Sequence, residues 1–531
     1  GKDIFQMVES GDKLFMGESA LINSDLQKIK DIGSDYYSKT KSKILELTRD
    51  DFKSLCQELQ KSDIAKLDSV MHSGVISAKA YQIRKYDIEY NYAAHMMFYK
   101  MTYEWAYREK NNIPRTQRVL PIKIDTLSAD YLDFITEEIT NDPLAVISSG
   151  YDSFINYLKF QEILRDQSQD YPIIEIANDL SATGYSFTNE EKELLKNAKE
   201  IAALKKIAEP KEFYDNYGNK RRKFLIKYEP VLRGLYKKLE DRNVAFESIE
   251  KYLIENGVDF TSDEEELIKA LKIHDNTKTM LKVREIQKSN RESTKEFYTK
   301  HRAFVSEWFT ERQSKIRKEK LQTTFGIKPG FATDIMTAQD YCYRIVSQMT
   351  PVSEEKLEAI QQQILSPFIS EYVAYCNERT IGKIDANKAK TGYVVNETPK
   401  TEADILFDDI MKKYRGKIVF VDFWATWCAP CRSGIEQIKP LKEEMANEDV
   451  EFVYITNYTS PKGTWKNMIP DIKGEHYRVT SDEWSVLSAK FNIVGIPHYA
   501  LIGKKGEIID PHLAHMGNEA LKTKLRKYIK E

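Results

Sequence analysis

At 531 residues the chain is longer than one hydrophobic core ordinarily serves, and its length sets an expectation of about two to four domains. Its 80 Lys and Arg nearly balance 82 Asp and Glu, so the net charge is −2 and no global field draws in nucleic acid or an anionic membrane. A hydrophobic content of 41% argues against disorder, and no apolar run approaches the ~20 residues of a membrane-spanning helix.

The chain opens on Gly1 with no basic, apolar, small-residue signal pattern after it, so its N-terminus gives no cellular address. Residues 1–20, with Gly11 and Gly17 and no helical stripe, read as a poorly defined segment, the frayed end of something removed. From 21 to 390 the pattern is α-helical. Tyr90, Ala93, Ala94, Met97, Met101 and Trp105 fall on one stripe of a long amphipathic helix, and Phe297, His301, Phe304, Val305 and Trp308 on another. Thr188 with Glu191 and Ser262 with Glu265 have the spacing of capping boxes ahead of apolar runs. Turn-like composition near 111–121, 183–189, 214–219, 326–330 and 350–353 breaks the region, with a domain split near residue 210. No repeat of fixed period emerges. Cys56, Cys342 and Cys376 lie singly in helical sequence, and each reads as a small buried hydrophobe. His95 and His301 read as core or surface residues rather than ligands.

Residues 391–402 are polar and unpatterned, which predicts a linker. The remainder, 403–531, alternates in the manner of an α/β domain. A short helix over 403–414 precedes an apolar, β-branched and aromatic run at 417–424, the signature of a central strand. A helix to about 446, a strand over 451–456, a helix over 481–491, a strand pair at 499–502 and 507–509, and a closing helix over 517–530 follow. The expected fold is therefore multidomain: a mostly α-helical region followed by a mixed central sheet flanked by helices.

The chemistry concentrates where the 417–424 strand runs into Cys428-Ala-Pro-Cys431 at a helix start. That placement sets the first sulfur beside unpaired backbone N–H groups and the positive end of the helix dipole, which favours thiolate. Cys428 is then the attacking nucleophile, and Cys431, one turn into the helix, attacks second to release product through a mixed-disulfide intermediate. Pro430 stiffens the loop without removing a donor the first turn could use. Asp422, in the middle of an apolar strand, is costly there unless it has a task, and is the candidate proton acceptor for Cys431. Pro497, just before a strand, is a candidate cis-proline, bringing the backbone of Ile496 beside the cysteines for strand-like bonds to a peptide substrate.

Trp424-Ala-Thr-Trp-Cys-Ala-Pro-Cys-Arg432, preceded by Val-Asp-Phe and followed some 65 residues later by Gly-Ile-Pro, resembles the thioredoxin superfamily. Together with the preceding Leu-Phe-Asp-Asp-Ile-Met-Lys-Lys-Tyr-Arg-Gly-Lys, it is most similar to bacterial envelope thiol-disulfide oxidoreductases of the TlpA and ResA kind, over about residues 390–531. The resemblance implies Cys428 as nucleophile, Cys431 as resolving cysteine, Asp422 as buried acid, Pro497 as cis-proline and Trp427 as a surface contact beside the site. It implies thiol or disulfide substrates on proteins or peptides, an upstream electron-donor thiol protein, and no cofactor beyond the Cys428–Cys431 pair. It also implies a periplasmic or cell-envelope location with lipid attachment. Two positions depart from relatives: Gly434 stands where a Glu is common, and the helix proline is Pro440 rather than residue 436.

Two other chemistries are disfavoured. A zinc site from Cys428, Cys431, His512 and His515 is opposed by the crowded His pair after Pro511 and by Pro497 over the sulfurs. A peroxidase would want Thr where Ala425 stands. The expected activity is thiol-disulfide exchange, in the reducing direction. The alternative is a helical protein-binding scaffold with an accessory redox-sensing thioredoxin domain.

Overall fold

The computed structural model describes residues 4–7, 13–114, 117, 120–122, 124, 126–166, 172–208, 211–239 and 244–531. Two compact units emerge, one comprising Gly1–Arg165 with Arg317–Glu531, the other Asp166–Ile316. The expected split near residue 210 falls on residues 209 and 210, outside the described residues, as do parts of 1–20 and 111–121.

In the first unit, β1 (Ile4–Met7) and β2 (Lys13–Met16) pair antiparallel, with Phe5 opposite Phe15, so this stretch contributes two paired strands where a frayed end is expected. The helical core then builds around Arg49–His72, Ala78–Met97 and Ser149–Lys159. Tyr90, Ala93, Ala94 and Met97 are buried as the stripe predicts, but the chain breaks at Phe98 and restarts as Tyr99–Lys110. That break rotates the stripe, leaving Met101 and Trp105 exposed, with Trp105 resting edge-on against Phe98. The helices Phe331–Cys342, Glu354–Gln361 and Pro367–Lys388 form a smaller apolar cluster of their own.

The second unit is helical. The Asn189–Ala208 helix starts on the predicted Thr188–Glu191 box, with Thr188 N–H donating to the Glu191 carboxylate at 2.9 Å. The Ser262–Ile273 helix is capped one residue earlier than the spacing suggests, by Thr261 with Glu264. The break expected at 214–219 is absent: the 29-residue Lys211–Leu239 helix runs through it and past Pro230. A helical glycine costs only ~1 kcal/mol, and burial of Phe224, Tyr228, Leu232 and Leu235 outweighs it. Phe297, His301 and Val305 are buried together, across a break at His301 between Arg291–Lys300 and Arg302–Phe325.

The C-terminal α/β domain, in the first unit, is a six-stranded mixed sheet of order β3-β6-β5-β4-β7-β8. Its strands are β3 (Tyr393–Val395), β4 (Ile418–Phe423), β5 (Val450–Asn457), β6 (Gly474–Val479), β7 (His498–Ile502) and β8 (Ile508–Leu513). β3 lies inside the expected 391–402 linker and pairs parallel with β6, so that stretch is sheet edge as well as connection. β6 went unread because its Gly-Glu-His-Tyr-Arg-Val sequence shows no apolar run. β4 is central, parallel to β5 and antiparallel to β7, and all six of its residues are buried. The helix expected to about 446, with its proline at Pro440, is two, Ala429–Gln437 and Lys439–Glu444, separated at Ile438 just before Pro440, whose ring and missing N–H interrupt the ladder.

Candidate active site: the Cys428–Cys431 turn

β4 delivers the chain to the site. Period-2 alternation sends Val419, Val421 and Phe423 into one apolar layer and Ile418, Phe420 and Trp424 into the other, which also contains both cysteines. Asp422 therefore faces the layer of the cysteine-bearing helix. Cys428 is the N-cap of the Ala429–Gln437 helix, Pro430 lies in its first turn, and the Cys431 N–H donates to the Cys428 sulfur at 3.1 Å. The two sulfurs are joined as a disulfide. Cys428 is buried at 3% exposure and Cys431 at 0%, whereas Trp427 beside them is 46% exposed, its indole N–H donating to the Thr459 hydroxyl at 3.0 Å. The loop is pinned from below: Thr426 N–H donates to the Ser460 hydroxyl at 3.0 Å, and Ser460 bonds Thr456 at 2.7 Å.

The Ile496–Pro497 peptide bond is cis, and Ile496 packs against the apolar layer that includes both cysteines. Asp422 lies opposite Tyr454 on β5 and Tyr499 on β7. Neither of its carboxylate oxygens has a hydrogen-bond partner among the described residues. Burial drives the Asp422 carboxyl well above the usual carboxylate range, with the Lys442 ammonium pulling the other way.

Lys442 is the residue that sequence reasoning missed. It projects from the Lys439–Glu444 helix, its ammonium 4.8 Å from the Tyr454 ring centre, and donates to the Tyr454 hydroxyl at 3.1 Å and to the Lys473 carbonyl. Burial brings it down to about 7, partly opposed by Asp422. No sequence signal marks it, because one Lys in a charged helix looks solvated. The departure at Gly434 has a steric cause: a Cβ there would stand 2.5 Å from the Tyr499 hydroxyl, so that oxygen occupies the space a side chain would need.

The helical region reaches this site directly. The Arg432 guanidinium donates to the Ser347 carbonyl, the Asn467 side chain donates to the Met349 carbonyl at 3.0 Å, and Met349 is buried in the same apolar layer as the cysteines. His512 packs edge-on against His498 at 4.8 Å, and His498 bonds the Pro511 carbonyl at 2.8 Å. No group of three or more His, Cys, Asp or Glu among the described residues is placed to hold a metal.

A cysteine pair capping the helix after the central strand of this sheet lies within residues 416–508, which match the family described as thioredoxin-like. Among relatives, the thioredoxin-like protein YneN of Bacillus subtilis is 30% identical over 113 residues, 21% of this chain and 65% of that protein. The thiol-disulfide oxidoreductase ResA of Bacillus thuringiensis subsp. konkukian is 24% identical over 151 residues, 28% of this chain and 79% of its own length. The crystal structure of StoA from Bacillus subtilis is 25% identical, covering 20% of this chain and 82% of that one, with a TM-score of 0.18. The chain thus spans 65% of YneN, and the matches cover under a third of this chain. No helix among the described residues is long and apolar enough to cross a membrane.

Proposed function

We propose that the protein is a disulfide reductase of protein or peptide substrates. The carrying observation is the Cys428–Cys431 pair capping a helix, together with the buried Asp422 carboxylate, which has no hydrogen-bond partner among the described residues and lies on the β4 face turned toward the layer that contains both cysteines. In the reduced enzyme the Cys428 thiolate attacks a substrate disulfide, forming a Cys428–substrate bond and releasing one substrate thiolate. The Cys431 thiol gives its proton to the Asp422 carboxylate and attacks the Cys428 sulfur; the Cys428–substrate bond breaks, the second substrate sulfur leaves as thiolate and takes that proton from Asp422, and the Cys428–Cys431 disulfide closes. An upstream thiol protein returns two electrons and two protons. Trp427, exposed beside the pair, and the Ile496 backbone, next to the cis bond, are the surfaces offered to the substrate chain, and Pro430 keeps the turn stiff. On the resemblance to envelope oxidoreductases, the reading extends to the cell envelope with lipid attachment, which fractionation of the source cells checks.

The deciding experiment follows turnover of a protein disulfide. Cys428→Ser loses it, and Cys431→Ser accumulates a mixed disulfide through Cys428, seen as a mass adduct removed by dithiothreitol. Turnover by Cys428→Ser at the parent rate overturns the reading and leaves the helical scaffold with a redox sensor as the account.

A further inference from the structure

The sequence presents Cys56, Cys342 and Cys376 as three separate buried residues, but two of them lie together. Cys342 ends the Phe331–Cys342 helix and Cys376 sits within Pro367–Lys388, 34 positions later in the chain. Both belong to the cluster of Ile345, Ile360, Ile364, Ile369 and Val373, Cys376 buried inside it and Cys342 partly exposed at its edge. Packed against the same apolar residues, the Cys376 thiol is close enough to raise the proton affinity of the Cys342 thiol, and the Tyr372 hydroxyl, one turn before Cys376, feels the Cys376 thiol as well. Cys56, by contrast, is fully buried in the separate core around Phe52 and Tyr92.

We propose that Cys342 and Cys376 are a second thiol pair, closing reversibly to a disulfide by exchange with a small-molecule disulfide. Cys342, the exposed member, attacks one sulfur of the small disulfide, forming a mixed disulfide and releasing one small thiol. Cys376 then gives up its proton and attacks the Cys342 sulfur, releasing the second. Two protein thiols lose two protons and two electrons, one protein S–S bond forms, and the S–S bond of the small disulfide is reduced to two thiols. Burial and the neighbouring Cys376 thiol push Cys342 up to about 12, so thiolate is scarce at neutral pH and closure accelerates about tenfold per pH unit between 7 and 9.

The pair's place in the fold sets it apart from ordinary core packing. Cys342 leads directly into the π-helical turn Tyr343–Ser347, whose last carbonyl receives Arg432 next to Cys431. Asn377, the residue after Cys376, holds both the N–H and the carbonyl of Val352, at 2.9 and 3.1 Å. Residues 343–352 thus leave the thiol pair, meet the helix that carries the active-site cysteines at Ser347, and return at Val352 to Asn377 beside Cys376.

The proposal rests on no part of the catalytic reading, and it is tested with that reading removed. The full chain carrying Cys428→Ser and Cys431→Ser, shown folded by circular dichroism, is equilibrated at pH 8.5 in glutathione buffers from reducing to oxidising, quenched with acid, alkylated under denaturing conditions and digested. The expected result is a Cys342–Cys376 linked peptide that replaces two alkylated thiols, with Cys56 alkylated throughout, and that reverts in reducing buffer. The parent chain, digested in the same way, gives the same linked peptide if the double variant does not fold. Three alkylated thiols in the most oxidising buffer, or a glutathione adduct on Cys342 with no link to Cys376, overturns the proposal.

Discussion

The helical core and the thioredoxin-like domain each bury carboxylates, and they treat them in opposite ways. In the helical part Asp63 accepts from the Tyr92 hydroxyl at 2.9 Å and the Lys66 ammonium at 2.8 Å, and Asp334 accepts the Leu365 and Ser366 N–H groups at 3.0 and 2.7 Å, holding the start of the Pro367–Lys388 helix. In the thioredoxin-like domain Asp422, as deeply buried, has no hydrogen bond among the described residues. A buried carboxylate with its hydrogen bonds filled is a structural joint; one left unfilled has a raised proton affinity and can take up a proton and pass it on. The contrast separates the part of the molecule that holds shape from the part proposed to carry out proton transfer.

Five substitutions sharpen or break that contrast. Asp63→Ala strands the Tyr92 hydroxyl in the core and is expected to cost about 3 kcal/mol in urea unfolding. Asp422→Asn is expected to do the reverse. A folded-state pKa raised above the unfolded value means the native state holds its proton more tightly, so stability falls as pH rises through the window that starts at the ordinary Asp value. Asp422→Asn should therefore gain about 1–3 kcal/mol at pH 9, with the gain shrinking toward zero near pH 4, while product release slows on the order of a hundredfold. A loss of stability at pH 9 would mean that Asp422 is a joint like Asp63.

Gly434→Ala is the next in size. Overlap with the Tyr499 hydroxyl should cost about 1–2 kcal/mol, and Tyr499→Phe should restore most of it, as a double-mutant cycle would read. The smallest effect on the fold is expected from Trp427→Ala, within about 0.5 kcal/mol in stability because the ring is half exposed. Its effect should appear as a raised KM for protein disulfides, with small disulfides unaffected.

What the sequence made legible follows from where the signals are local. The β4 run, the Cys-Ala-Pro-Cys turn, the proline before β7 and the Thr188–Glu191 box are each written in consecutive or closely spaced residues, and the structure forms each element there. What was missed depends on distant partners. β3 is a strand because it pairs with β6, and β6 because it lies between β3 and β5, not because their residues alternate. The break at Phe98 and the unbroken Lys211–Leu239 helix are both tertiary packing overriding local preference. Lys442 against Tyr454 on β5, and Cys342 in one apolar cluster with Cys376, come from distant elements brought together by the fold, and a single chain's spacing carries no trace of them.

The most direct measurement of the account is the equilibrium of the Cys428–Cys431 pair against defined glutathione and dithiothreitol buffers, read by alkylation and mass. The account predicts a two-electron transition assigned to these two residues with a midpoint near the thioredoxin value of about −270 mV. A midpoint near about −120 mV would mark an oxidant instead, and a pair that stays reduced in every buffer would contradict the catalytic claim itself.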